Sequence, residues 1–385
     1  MSTPPTPKDW IRAFRIRFRK RSSTELYPEM EMDQYIATTV KNGASSLKGE
    51  HDQEREWSEL LPDVLHLVSK RLPDLTDFAR FRAVCKNWRS EAPLSDLPSQ
   101  FPWLLISSGS PKNQLQFYSL SHGKFQTMSV PECHGKELMG PSRKYVFASD
   151  WTCSTLALFN PLTSEEVLLP PIALDWCFPI STSQNCTDYV AICGGKTESK
   201  IQTLGLCRPG DDKWTVLRKA LEGCLMIYHK RMFFVYSPET RTTEVIEVKS
   251  GVIVTTVPPP PTKLNCLVES CGELLGISCS RSLNRDGDCK IYRLNCEGKN
   301  CKWVKISSIG DQMLFLDGGQ GFSISASGSI QSERNCIFYL GSHELIKFDG
   351  VSTTYYLSKY DIESRSWEKI SLPSMEKPGW FLPSH

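Results

Sequence analysis

Cysteine is the residue type here most able to do chemistry. The chain holds 15 of them in 385 residues, and Cys266, Cys271, Cys296 and Cys301 form two pairs with four residues between partners. Converging thiolates bind zinc, but tight structural sites usually leave roughly two to four residues between paired ligands. Within one strand, side chains five positions apart point to opposite faces, so no metal is expected at these four. Cys133-His134 puts a nucleophile beside a base in sequence, yet adjacent side chains rarely face each other usefully and no acid is placed to orient the imidazole. Gly318-Gly319-Gln320-Gly321 has the glycine content of a phosphate loop without the Lys-Ser/Thr that should follow; a turn between strands is expected. No catalytic residue, metal or cofactor is assigned.

Charge offers one further candidate. Arg12, Arg15, Arg17, Arg19, Lys20 and Arg21 stand among Trp10, Ile11, Phe14 and Phe18. As a helix, Trp10, Phe14 and Phe18 would share one face, which suits a membrane surface, a partner or a nuclear-import signal; a solvated tail is the plainer reading. Over the whole chain 45 basic residues nearly balance 43 acidic ones, for a net charge of +2. That balance argues against a dedicated nucleic-acid binder. The N-terminus shows no apolar core of a secretory signal, and no window approaches the roughly 18 apolar residues of a membrane span. The expectation is a protein of the nucleus and/or cytoplasm whose cysteines are mostly reduced and packed as small hydrophobes.

The elements that must position any site fall into three segments. Residues 1–54 are too poor in apolar side chains to offset chain entropy and are expected to be a disordered basic and polar tail. The second segment, residues 55–95, reads as helix over 57–92. Pro62 suits a first helical turn, and Leu61, Val64, Leu65, Val68 and Leu72 recur as one apolar stripe. Pro73 stops that helix, and Asp74 or Thr76 can cap the next, where Phe78, Phe81, Val84, Cys85 and Trp88 form a second stripe. About forty helical residues cannot enclose a full core alone, so either a partner or the rest of the chain must cover part of this surface.

From residue 96 to 385 the texture is β. Six stretches share a strand, a polar turn and a second strand: FYSLSHGKFQTMSV from Phe117, LFNPLTSEEVLLPP from Leu158, LCRPGDDKWTVL from Leu206, VYSPETRTTEVIEV from Val235, IYRLNCEGKNCKWVKI from Ile291 and KYDIESRSWEKISL from Lys359. Lone hairpins are marginal in water and must join into sheets. Repeated hairpins point to a propeller in which each forms the outer pair of a blade, with a sandwich or barrel as the alternative. Their starts lie 41, 48, 29, 56 and 68 residues apart, so the expected propeller is irregular, with six or seven blades. Pro258 to Pro261 must be a surface connection, and residues 172–188, 280–290 and 309–321 are expected to be long loops.

Leu61-Pro62-Asp63-Val64-Leu65 and Val84-Cys85-Lys86-Asn87-Trp88-Arg89 resemble the opening and closing motifs of an F-box, over roughly residues 57–95. Phe101-Pro102-Trp103-Leu104-Leu105, Phe159-Asn160-Pro161-Leu162-Thr163, Cys207-Arg208-Pro209-Gly210-Asp211, Leu267-Val268-Glu269-Ser270, Leu314-Phe315-Leu316-Asp317 and Asn335-Cys336-Ile337-Phe338-Tyr339 resemble the kelch-like domain of unknown function that follows many plant F-boxes. The resemblance implies a non-catalytic substrate receptor of an SCF (Skp–cullin–F-box) ubiquitin ligase. It implies docking on a Skp-type adaptor, and through it a cullin, by Leu61, Pro62, Val64, Leu65 and Val68. Trp88 would anchor the third helix, in the F-box core or at the adaptor. The target would be an unknown protein held by the propeller. Rival expectations are a non-ligase scaffold or sequestering protein, a propeller enzyme with groups converging near its axis, and a nucleic-acid binder led by the basic tail.

Overall fold

The computed structural model describes residues 60–72, 75–93, 101–106, 114–129, 136–139, 146–150, 155–160, 165–170, 180–182, 190–194, 201–208, 210–221, 223–282, 285–298, 300–317, 319–326, 333–347 and 350–382. The expected tail, its basic run and Cys133-His134 lie outside them. The chain divides into two compact units, residues 1–98 and 99–385.

In the first unit, α1 spans Pro62–Ser69, α2 Leu75–Ala83 and α3 Lys86–Ser90. The expected second helix is therefore two. It breaks at Cys85, whose extended backbone (φ −161°, ψ 176°) ends the spiral and whose Sγ accepts from the Trp88 N–H at 3.5 Å. A side chain that caps a new helix cannot continue the old one. Thr76 lies inside α2 rather than capping it, and Asp74 lies outside the described residues. Leu65, Leu72, Phe78, Phe81, Trp88 and Ala92 close into one core.

The second unit is built of sheets. β1 (Trp103–Ile106), β2 (Gln114–Ser119) and β3 (Lys124–Ser129) are joined by the last strand, β25 (Pro378–Phe381), in the order β25-β1-β2-β3. Three four-stranded meanders follow: β4 (Glu137–Met139) to β7 (Glu166–Leu169) through β5 (Val146–Asp150) and β6 (Thr155–Phe159); β8 (Ile180–Thr182) to β11 (Thr215–Leu221) through β9 (Val190–Gly194) and β10 (Ile201–Cys207); and β12 (Leu225–His229) to β15 (Ile253–Val257) through β13 (Met232–Tyr236) and β14 (Thr243–Glu247). The fifth sheet runs β16 (Cys266–Ser270), β17 (Glu273–Ser282), β18 (Arg285–Glu297), β19 (Asn300–Ile306). The sixth has five strands ordered β21-β20-β22-β23-β24, from β20 (Gln312–Asp317), β21 (Gln320–Ser325), β22 (Cys336–Lys347), β23 (Gly350–Asp361) and β24 (Ser366–Ile370). Its β20 and β22 are parallel.

Both faces of a middle strand are buried, which is why MFFVY and QMLFLD read as unbroken apolar runs instead of alternating. Phe233 and Val235 pack with Leu204 and Leu206 of the preceding sheet, whereas Phe234 and Tyr236 pack with Leu264, Leu267 and Leu274 of the next. Leu314 and Leu316 meet Val268 and Ile277 on one side, while Met313 and Phe315 meet Leu104, Ile106 and Trp380 on the other. Sheets stacked in series, with the last strand completing the first sheet, make a β-propeller and not a two-layered sandwich.

All six expected hairpins are present, but VYSPETRTTEVIEV is the middle pair β13–β14, because β15 adds a further strand beyond the turn that begins at 248. The long final spacing is filled by the fifth strand and elongated hairpin of the sixth sheet. Two expected loops are corrected. Residues 280–290 are the tip of the β17–β18 ribbon, and 309–321 hold β20 and the start of β21, with Gly319 at φ +96° in the tight turn between them. Turn-forming residues marked sharp reversals there, not long excursions. Of 172–188, only β8 is described. Pro258 to Pro261 connects β15 to β16, with all but Pro260 exposed.

Candidate functional site

Leu61 precedes α1 in extended backbone (φ −56°, ψ 136°), and its carbonyl accepts from the N–H groups of Val64 (3.0 Å) and Leu65 (3.1 Å). Pro62 follows at the first helical position, where no donor is needed and φ is already helical. The Leu-Pro corner is thus fixed by its own backbone. It leaves the Leu61 side chain 63% exposed, with Leu67 37% exposed one turn and a half further on.

The expected single stripe on α1 is in fact split. Leu65 is 1% exposed and faces the helical core with Leu72; Val64 and Val68 are half-buried at its margin; Leu61, Pro62 and Leu67 face outward. Trp88 is 8% exposed, with its ring centroid 4.5 Å from that of Phe81. Of the six residues singled out from sequence, Leu61 and Pro62 are exposed, Val64 and Val68 are half-buried with Val68 packed against the helical core, and Leu65 and Trp88 are turned inward. Leu67 was left out of the stripe although it lies three residues after Val64; its signal was the extra leucine in a helix too short to bury it.

The core beneath is tied to all three helices. The Arg82 guanidinium donates to the carbonyls of Arg89 and Ala92, and Arg89 Nε donates back to Arg82 O at 3.2 Å. His66 Nδ1 lies 3.3 Å from Glu91 O, joining α1 to the end of α3. An exposed leucine corner therefore rests on a small, cross-braced base.

The propeller offers a second feature. β17–β18 continues beyond Ile277 and Ile291, the last residues of those strands to pair with β16 and β19. β22–β23 likewise runs on past the pairings with β20 and β24, from Gly341↔Tyr356 to Lys347↔Gly350. The β20–β21 turn abuts Asn265, since a Cβ on Gly319 would lie 3.5 Å from Asn265 O. Both ribbons thus project from the same end of the propeller.

Thiol chemistry is discouraged by burial, which pushes Cys207 up to about 12 and Cys336 to about 11. Burial also lifts Asp317 to about 7 and lowers His229, with the Lys230 charge adding to the latter. Cys266 is buried, Cys271 is exposed, and Cys296 is paired with Cys301, so the four cysteines weighed for zinc are not assembled. Among the described residues no three His, Cys, Asp or Glu side chains come together to hold a metal, and no helix is long and apolar enough to cross a membrane.

The family described as KIB1-4 beta-propeller matches residues 117–371, well over half of the chain. This chain is a member of the KIB1-4 propeller family. Several relatives match over nearly their whole length. A putative F-box protein of Arabidopsis thaliana is 25% identical over 391 residues, covering 88% of this chain and 96% of its own. The Arabidopsis F-box protein SKIP23 is 25% identical over 389 residues, covering 85% and 95%. F-box protein KIB4, also of Arabidopsis, is 28% identical over 193 residues, covering 45% and 46%. Among solved structures, TolB from Acinetobacter baumannii overlays with a TM-score of 0.41 at 11% identity, covering 78% of this chain and 71% of its own. In this KIB1-4 propeller a helical segment, α1 to α3, stands ahead of the matched region.

Proposed function

We propose that this chain is the substrate receptor of an SCF-type ubiquitin ligase in a plant, with a helical F-box and a propeller of six blades, one for each sheet. It makes and breaks no bond itself. The F-box fixes the chain to a Skp-type adaptor and thereby to a cullin, and the propeller holds a target protein so that its lysines meet the charged conjugating enzyme. Such a receptor acts by effective concentration and orientation.

The observation that carries this reading is the exposed Leu61-Pro62 corner on a closed helical core. Burying one such leucine at an interface is worth roughly 1.5–3 kcal/mol, and Leu67, Val64 and Val68 extend the patch. Leu65 and Trp88 act in this reading by setting the shape of the base. The F-box names of the relatives support it, and so does the family's propeller as a platform with projecting ribbons. The ribbon-bearing end is the proposed target face, and the protein works in the nucleus and/or cytoplasm.

The test is copurification of adaptor and cullin with the full chain, compared with Leu61→Ala plus Pro62→Ala. Both should be lost from the variant while its propeller melts unchanged. Retention of the cullin would overturn the ligase reading and leave a scaffold that uses the same surface for another partner.

A further inference from the structure

Among the described residues, every paired cysteine lies in the fifth sheet, and both pairs include β18. Cys289 of β18 pairs with Cys279 of β17, and Cys296 of β18 pairs with Cys301 of β19. In each case the two residues are direct cross-strand partners in the register. For Cys296 and Cys301 this corrects the reading of a five-residue separation: the tight turn after Glu297 places them opposite each other rather than on opposite faces. Cys207 and Cys336 are free thiols buried in other sheets, and Cys266 is a free thiol buried in β16 of this same sheet.

The position of the first pair is informative. β16 stops pairing at Ile277 and β19 at Ile291, and the Cys279–Cys289 link falls just beyond, at the root of the two-stranded ribbon. Beyond it the ladder skips a residue between Cys279 and Arg281 and then has only Arg281↔Asp286 and Ser282↔Arg285. A two-stranded hairpin with no further strand paired to it is marginal in water, so a cross-link at its root adds to what holds the register. The same root carries the next sheet: Gly287 O accepts from Trp367 Nε1 at 2.8 Å, and the Asp288 carboxylate accepts from the Tyr360 hydroxyl. The second pair differs in access, since Cys296 is exposed while its partner Cys301 is buried.

We propose that the two pairs form a reversible thiol–disulfide switch that clamps β18 on both sides and fixes the projecting ribbon, with a small-molecule disulfide of the glutathione class as co-reactant. The Cys296 thiolate attacks one sulfur of that disulfide, forming a mixed disulfide and releasing one thiol. Cys301 then attacks Cys296 Sγ, closing the protein bond and releasing the second thiol. Two protein thiols give up two electrons and two protons, and one external disulfide becomes two thiols. Cys279 and Cys289 exchange by the same steps, but more slowly, because both are buried and the ribbon must open first.

The full chain, equilibrated across reduced-to-oxidised glutathione ratios, trapped with a maleimide and mapped by peptide mass, tests this directly. Each pair should close with its own partner as the ratio falls, Cys296–Cys301 faster. Amide exchange over 280–290 should slow by about tenfold or more on oxidation. Cys296→Ser should abolish closure of its own pair alone, and Cys279→Ser with Cys289→Ser should abolish the change in ribbon exchange. Comparison of the two redox states of the unsubstituted chain needs no variant to fold. Thiols at every ratio, disulfides at every ratio, pairing with Cys271 or another cysteine, or ribbon exchange equal in both states would each overturn the proposal.

Discussion

Leu61 and Leu65 are four residues apart at the start of one short helix, the first just ahead of it, and their environments separate two kinds of importance. Leu65→Ala opens a hole in a core that also contains Phe78, Phe81 and Trp88; it should cost about 2–5 kcal/mol of stability in the helical unit, read by thermal melting of that unit. Leu61→Ala removes a side chain that already meets water. Its melt should change by less than about 0.5 kcal/mol, while adaptor affinity in a titration falls at least about tenfold. Asp317 provides a pH-dependent case. Burial raises its carboxyl from 3.8 to about 7, so the folded chain keeps this proton where the unfolded chain has released it. Stability from this residue is complete below about pH 4 and is lost as pH rises through about 7. Asp317→Asn should flatten that slope and stabilise the propeller by about 1–3 kcal/mol at pH 8, measured by denaturant melts at several pH values.

The hairpins were legible in the sequence because their turns are written in Gly, Pro, Asn, Asp and Ser, residues with a local conformational reason to be there. What local chemistry leaves open is how many strands follow a turn, hence the displaced role of β13–β14. The break at Cys85 was hidden because Phe78, Phe81, Val84, Cys85 and Trp88 keep helical spacing across two helices packed on one core. The docking corner was readable as a motif, but not the split between Leu61 outside and Leu65 inside, which depends on where α2 and α3 lie. The β22–β23 ribbon went unread for a related reason: nothing local says that neighbouring strands end early. Within it, Tyr356 lies across Gly341, its cross-strand partner, where an added Cβ would come within 2.3 Å of the ring. Gly341→Ala should displace that ring and speed amide exchange over 342–355 by about tenfold, with exchange in β20 unaltered.

At the scale of the propeller, closure depends on one short strand. β25 pairs with β1 from Trp103↔Phe381 to Ile106↔Pro378, and Trp380, fully buried, donates its indole N–H to Leu316 O at 3.0 Å in the sixth sheet. The strand therefore completes the first sheet and ties it to the last. Trp380→Ala should cost about 3–5 kcal/mol, and removal of residues 378–385 should do more than subtract one strand. It bares the backbone edge of β1 together with the apolar side chains that faced β25, so the truncated chain should aggregate on heating where the full chain melts reversibly, as light scattering would show.

That late strand also sets a schedule for synthesis. A ribosome adding about 5–20 residues per second needs roughly a quarter of a minute to a minute to travel from Ile106 to Pro378, and for all that time β1 has one edge without its mate. The nascent chain must be sheltered through the interval by its own later sheets or by chaperones. A stop codon ahead of Pro378 would release a ring that can never be latched.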